Sequence, residues 1–143
     1  YYHEWLDKDG YPFWSFWENI RTWWNIRDLP NVMFIHFAKL KEDMPGEIRR
    51  IAAFLDIEID ETKWREILEH CSFNYMKAHA TPSVPLGGAF WNGGAEQFIY
   101  KGINGRWRDV LNETEIIKYE NLAIAELGEE CAHWLSTGER LKT

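Results

Sequence analysis

The chain has 143 residues, 45% hydrophobic and 27% charged, which is the make-up of one globular domain able to bury about 70% of the surface its unfolded form exposes. Disordered, collagen-like and disulfide-dependent mini-protein classes are excluded, and no apolar run approaches the roughly 18 residues of a membrane span nor does any series form a signal peptide, so a soluble protein is expected. Twenty-three acidic against 16 basic side chains leave a net charge of -7, which repels a nucleic-acid backbone at long range.

The first predicted element is a helix over residues 13–24, where Phe13, Phe16, Trp17, Ile20 and Trp24 form an apolar stripe and Pro12 suits the first turn. After the turn-forming Asp28-Leu29-Pro30-Asn31, residues 32–37 (VMFIHF, from Val32 at one end to Phe37 at the other) are apolar except for His36. They are read as a strand buried on both faces, as in a parallel sheet. Pro45 opens a helix with Ile48, Ile51, Ala52 and Leu55 at helical spacing. Strand then helix is half of a βαβ unit, so the expected class is α/β, mostly helical in this chain with one strand.

Asp60 is the expected N-cap of a third helix carrying Trp64, Ile67, Leu68 and Cys71 on one face. Residues 80–94 hold glycines, prolines, Ser83 and Asn92 that interrupt every period, which predicts a long loop of the kind that carries function. Asn112 and Glu115 resemble a capping box before a last helical region lined by Ile116, Tyr119, Ala123 and Leu127, divided at Gly128 and ended at Gly138. A lone strand leaves its N–H and C=O groups unpaired in the interior. Either further strands come from elsewhere, or the protein is mostly helical and the strand pairs with something short.

Cys71 and Cys131 lie 60 residues apart, without the spacing of a zinc site, and a chain of this size needs no disulfide, so cytoplasm is the expected compartment. Nine tryptophans, six tyrosines and eight phenylalanines fit core packing first, and stacking on flat ligands second. The segment richest in chemistry is FIYKGINGRWRDVL, residues 98–111. Lys101, Arg106 and Arg108 bring cations, and Gly102 and Gly105 allow backbone N–H groups to approach a ligand, a combination suited to phosphate or sulfate. Its bland alternative is a solvated surface loop.

Residues 101–107, KGINGRW, resemble the RKGxxGxW segment of the sulfotransferases that use 3'-phosphoadenosine 5'-phosphosulfate (PAPS). CSFNYMK at residues 71–77 is similar to that family's T/S-S-F-x-x-M-K segment. Residues 32–56, VMFIHFAKLKEDMPGEIRRIAAFLD, resemble its L-x-x-Y-E-D-L-K strand and following E-I-x-x-I-x-x-F-L helix, and Tyr1-Tyr2-His3 resembles the S-Y-Y-H-F end of an earlier helix. The resemblance implies that Ser72 and Phe73 contact the nucleotide, the ring against adenine, with Met76 close by. It implies that Phe98, Ile99, Tyr100, Lys101 and Gly102 wrap the 3'-phosphate. Taken alone, Phe73 reads as a core residue.

Departures from the family pattern accompany the match. Tyr100 stands where the family usually has arginine, replacing a bidentate phosphate contact by a neutral hydroxyl. Phe37, Ala38 and Lys39 replace the Y-E-D residues, and Arg106 replaces the commoner aspartate of G-D-W. No match to the family's short dimer motif follows Trp107, so that mode of dimerisation is not expected. The strand and P-loop-like turn for the 5'-phosphosulfate, the catalytic histidine, and the arginine and serine of the 3'-phosphate site have no counterpart. The chain begins, without methionine, at the tyrosine after that serine, and is therefore expected to be the C-terminal half of a sulfotransferase domain, residues 1–143 forming one unit.

The expected activity is transfer of a sulfuryl group from PAPS to a hydroxyl or amine acceptor when the P-loop half completes the site. This chain would supply the adenine and 3'-phosphate side, and alone it would be inactive. None of His3, His36, His70, His79 and His133 has metal-site spacing or is assigned as the base. Residues 81–96, with Phe90 and Trp91, are the expected acceptor-pocket wall. Two alternatives stay open. One is a non-catalytic helical module that binds a partner or itself through exposed aromatics. The other is a remnant that holds 3'-phosphoadenosine compounds without reaction.

Overall fold

The computed structural model describes residues 2–141. Among these lie ten α-helices: α1 (Tyr2–Asp7), α2 (Phe16–Asn25), α3 (Phe37–Glu42), α4 (Met44–Phe54), α5 (Trp64–His70), α6 (Phe73–Ala78), α7 (Ala80–Ser83), α8 (Gly94–Phe98), α9 (Glu113–Leu127) and α10 (Glu129–Thr137). The chain divides into two compact units, one of Tyr1–Glu42 with Trp107–Thr143 and one of Asp43–Arg106.

In the first unit the predicted helix over 13–24 begins three residues later, because Ser15 caps it by accepting a hydrogen bond from the Glu18 N–H at 3.0 Å. Asp9 holds the preceding turn: its carboxylate accepts from the Ser15 hydroxyl and, at 3.1 Å, from the Trp17 N–H. Phe13, displaced from the stripe, is 75% exposed. Trp17 and Ala123 are buried together, with Trp5, Phe16, Tyr119 and Leu122 packed on them. The rings of Trp5 and Phe16, 4.7 Å apart, and of Phe16 and Trp17, 4.9 Å apart, meet edge to face. That arrangement adds about 0.5–1.5 kcal/mol per pair beyond burial. Core packing thus accounts for Trp5, Phe16, Trp17 and Tyr119, while Tyr11, Phe13, Trp14 and Trp23 remain exposed.

The expected strand at residues 32–37 does not form. Residues 32–36 have no regular secondary structure, Phe37 already starts α3, and no strand occurs among the described residues. A strand needs a neighbour to take its N–H and C=O groups, and none is offered here. Nor is the run buried on both faces: Phe34 packs on Trp134 at 5.2 Å and His36 Nε2 lies 3.1 Å from the Leu135 carbonyl, while Ile35 and Phe37 are exposed. The apolar residues hold the segment to α10 by side chains instead of a backbone ladder.

The capping box is present, Asn112 accepting from the Glu115 N–H at 3.0 Å while the Glu115 carboxylate accepts from the Asn112 N–H at 2.8 Å. Gly128 separates α9 from α10, and Gly138 ends α10 in the left-handed conformation. A Cβ at Gly138 would meet the His36 ring and Lys39 at 2.8 Å, so this end of the unit admits only glycine without rearrangement. Lys39 bridges Glu42 and Glu139, 3.1 Å from each. Thus Lys39, which departs from the acidic family pattern, serves local packing.

In the second unit Asp43 caps α4 through the Gly46 N–H at 3.0 Å, with Pro45 in the first turn as predicted and Ala52 buried. Asp60 caps a 3₁₀ turn, Glu61–Lys63, that leads into α5. Arg49 on α4 donates to both carboxylate oxygens of Glu61, at 2.6 and 2.9 Å, and its guanidinium sits 4.1 Å from the centre of the Trp64 ring. A planar fork is required for that double role.

The long loop expected over residues 80–94 is instead folded into α7, a 3₁₀ turn at Pro85–Gly88 and the start of α8. Ala80, Val84 and Ala95 are buried against one another, with Ile99 packed on them. The glycines read as loop formers permit this closure. At Gly88, where φ is +86°, a Cβ would lie 2.2 Å from the Ala95 backbone nitrogen, so only glycine lets the two turns pack.

Candidate functional site

The site predicted on sequence lies within the second unit, where α6 faces the segment that follows α8. Ser72 is the N-cap of α6: its Oγ accepts from the Tyr75 N–H at 3.1 Å, which sets Phe73 as the first helical residue. One turn later Lys77 Nζ donates to the carbonyls of Ile99 and Tyr100, both at 2.7 Å. Its ammonium also lies 5.9 Å from the centre of the Phe73 ring. Gly102 has φ +61°, and a Cβ there would stand 2.5 and 2.6 Å from two carbons of the Phe73 ring. The backbone at position 102 therefore rests on that ring more closely than any side chain permits.

Of the predicted site residues, Ser72, Phe73, Ile99, Tyr100 and Gly102 are thus gathered by α6 and its contacts. Met76 is on the same helix, half-buried, while Phe98 at the end of α8 turns to Trp91, ring centres 4.4 Å apart. Ile99 packs on Ala80, Val84 and Ala95, so the small core anchors one end of the segment over residues 98–102. The residue that sequence reasoning passed over is Lys77. Its signal was available, since a lysine four positions after Phe73 shares a helix face with it.

Charge is concentrated at the other end. The Lys101 ammonium and the Arg106 guanidinium each lie 5.1 Å from the centre of the Tyr100 ring. Neither forms an ion pair among the described residues, whereas Arg27, Lys39, Arg49, Arg50, Lys63 and Lys118 all do. In a chain with excess acid, cations without local carboxylates are available to an external anion. Gly105, φ +78°, forms the turn that returns Arg106 toward Tyr100.

The histidines have other surroundings. His3 Nε2 lies 2.9 Å from a Glu115 carboxylate oxygen, and His36 stands edge-on to Trp134. His70 and His79 flank the Tyr75 ring at 4.3 and 4.1 Å, and the His133 carbonyl accepts from the hydroxyls of Ser136 and Thr137. In the segment expected to wall an acceptor pocket, Phe90 is 76% exposed and Trp91 is half-buried. Cys71 is exposed and Cys131 is buried, where burial pushes its thiol pKa up. Among the described residues no helix is long and apolar enough to cross a membrane. Tyr1, part of the N-terminal resemblance, lies outside the described residues.

Comparison with known proteins gives this arrangement a relationship. A family model described as a sulfotransferase domain matches residues 2–129. Sulfotransferase 1B1 of Mus musculus is 27% identical over 123 residues, covering 83% of this chain and 41% of the relative. Luciferin sulfotransferase of Photinus pyralis is 34% identical over 121 residues, covering 76% of this chain and 30% of the relative. The crystal structure of mouse sulfotransferase SULT7A1 complexed with PAP superposes with a TM-score of 0.77 at 20% identity, over 94% of this chain and 49% of that one. The chain therefore spans less than half the length of these relatives. With the ordered motifs, the fold and the match over most of its residues in agreement, the chain belongs to the sulfotransferase domain family.

Proposed function

We propose that residues 1–143 are the C-terminal portion of a PAPS-dependent sulfotransferase domain and supply the adenine and 3'-phosphate side of its donor site. The observation that carries this reading is the apposition of Gly102 to the Phe73 ring, locked by Lys77 on the carbonyls of Ile99 and Tyr100. It joins two motifs 29 positions apart in the sequence, the aromatic residue for a base and the glycine turn for a phosphate. The donor set fits the group: Lys101 has no carboxylate partner among the described residues, and it adjoins Gly102, whose lack of a Cβ lets the segment close on the Phe73 ring. Ser72, Phe73, Met76 and residues 98–102 would hold the nucleotide. When bound, PAPS supplies the sulfuryl group for a hydroxyl or amine acceptor. This chain's own work is to bind and orient the nucleotide, and sulfuryl transfer requires a P-loop half as well.

The test is a calorimetric titration with 3'-phosphoadenosine 5'-phosphate, using adenosine 5'-monophosphate as the control. Preference for the 3'-phosphate, reduced about tenfold by Lys101→Ala, supports a retained half-site. Equal affinities, or no binding by the folded chain, overturn it for this chain.

A second reading, a partner-binding module without catalysis, rests on a different feature. Tyr11, Phe13 and Trp14 are 68%, 75% and 77% exposed in the first unit, where Phe13 and Trp14 border a concavity also lined by Trp5, Phe16 and Ile20. Contiguous exposed aromatics of this kind mark association surfaces. Concentration-dependent sedimentation, abolished by Trp14→Ser, would favour it.

A further inference from the structure

We infer that Arg106 is a second cation of the phosphate site, acting with Lys101 across the Tyr100 ring to hold a dianionic phosphoryl group. The inference rests on the proposal that this face takes the 3'-phosphate, and adds a residue to it. Three observations carry it.

First, Lys101 and Arg106 both lie 5.1 Å from the centre of one ring, which holds their charges no more than about 10 Å apart, near the Debye length at 0.1 M salt. Two exposed positive charges against one ring raise the local potential in favour of an anion. Second, this chain carries 23 acids to 16 bases and pairs most of its cations, yet neither of these has a carboxylate within ion-pair distance among the described residues. Third, their positions are built by backbone rather than left to a floppy loop. Lys77 fixes the carbonyls of Ile99 and Tyr100, Gly102 lies on Phe73, and Gly105 turns the chain so that Arg106 returns to Tyr100.

The roles of the two cations differ. Lys101 offers a compact point charge beside the glycine turn, whereas the Arg106 fork can donate two parallel N–H bonds to two phosphoryl oxygens. Tyr100, 45% exposed, serves as the surface against which both side chains are held, reducing the rotamer freedom they would lose on binding. A phosphate monoester, carrying close to two charges at neutral pH, suits this pair better than a singly charged sulfate ester or a carboxylate.

The test compares the full chain with Arg106→Gln, Arg106→Lys, Lys101→Ala and, as a charge-matched control, Lys63→Gln. Each is titrated with 3'-phosphoadenosine 5'-phosphate and with adenosine 5'-monophosphate, after far-ultraviolet circular dichroism has verified folding. Arg106→Gln should weaken the bisphosphate about tenfold and leave the monophosphate unchanged. Arg106→Lys should recover part of that loss, and Lys63→Gln should match the parent. If Lys101→Ala loses the preference while Arg106→Gln keeps it, the assignment of Arg106 is overturned and the half-site reading stands. If the parent chain itself shows no preference for the bisphosphate, the half-site reading fails and the assignment falls with it.

Discussion

Gly102 is pressed against the ring of Phe73, so closely that a β-carbon on residue 102 would stand 2.5 Å from a ring carbon. Real Cβ atoms do not make that approach, and the φ of +61° would strain any other residue. The two positions belong to segments 29 residues apart in sequence, and their contact brings two separate motifs together.

Gly102→Ala should therefore act twice. The left-handed backbone costs about 1–2 kcal/mol for a residue with a β-carbon, and the ring must also move. Urea unfolding monitored by tryptophan fluorescence reads the stability loss, and Phe73→Leu in the same chain should restore the steric part but not the backbone part. A loss below about 0.5 kcal/mol for Gly102→Ala would contradict the contact.

Lys77 should behave as the latch of the same segment. Lys77→Met keeps the apolar stem over Phe73 but removes both hydrogen bonds to the carbonyls of Ile99 and Tyr100. Amide hydrogen exchange of residues 99–102 should accelerate about fivefold, the equivalent of roughly 1 kcal/mol for a solvent-accessible charge-assisted pair. Unchanged protection there would mean that Gly102 and the small core around Ile99 hold the segment without it.

Asp9 should give the first unit an acid-sensitive step. Burial pushes its carboxyl pKa up, but the hydrogen bonds from the Ser15 hydroxyl and the N–H groups of Trp17 and Phe16 outweigh burial and hold it below the ordinary value. A carboxyl with a depressed folded-state pKa contributes stability at pH above its unfolded value of about 4, and loses it as pH falls through the folded value. Asp9→Asn should cost about 1 kcal/mol at neutral pH and much less near pH 2, so the acid limb of its stability curve should be flatter. Parallel curves for parent and variant would show that Asp9 does not carry this dependence.

Several elements were legible before any coordinates because their causes are local. The capping box of Asn112 and Glu115, the helix opened at Pro45 and the glycine at 138 depend on residues within a few positions of the backbone they shape. The family motifs were legible for a related reason: KGINGRW and CSFNYMK are short, ordered and chemically distinctive. Residues 32–37 failed because an apolar run states only a preference for burial, and a strand is made by its neighbour. Residues 80–94 failed in the other direction, since glycine and proline mark a change of direction whether the result is open or closed.

What the sequence determined by itself was the helical character of the five longest helices, the family and the residue types from which a donor site is proposed. Tertiary structure alone decided that Gly102 lies on Phe73, that Lys77 ties the two segments, and that Lys101 and Arg106 share the Tyr100 ring. The reason is physical. Caps and helical stripes are set by neighbours along the chain, whereas a site is made where distant segments meet, and that meeting is governed by packing that no single segment encodes.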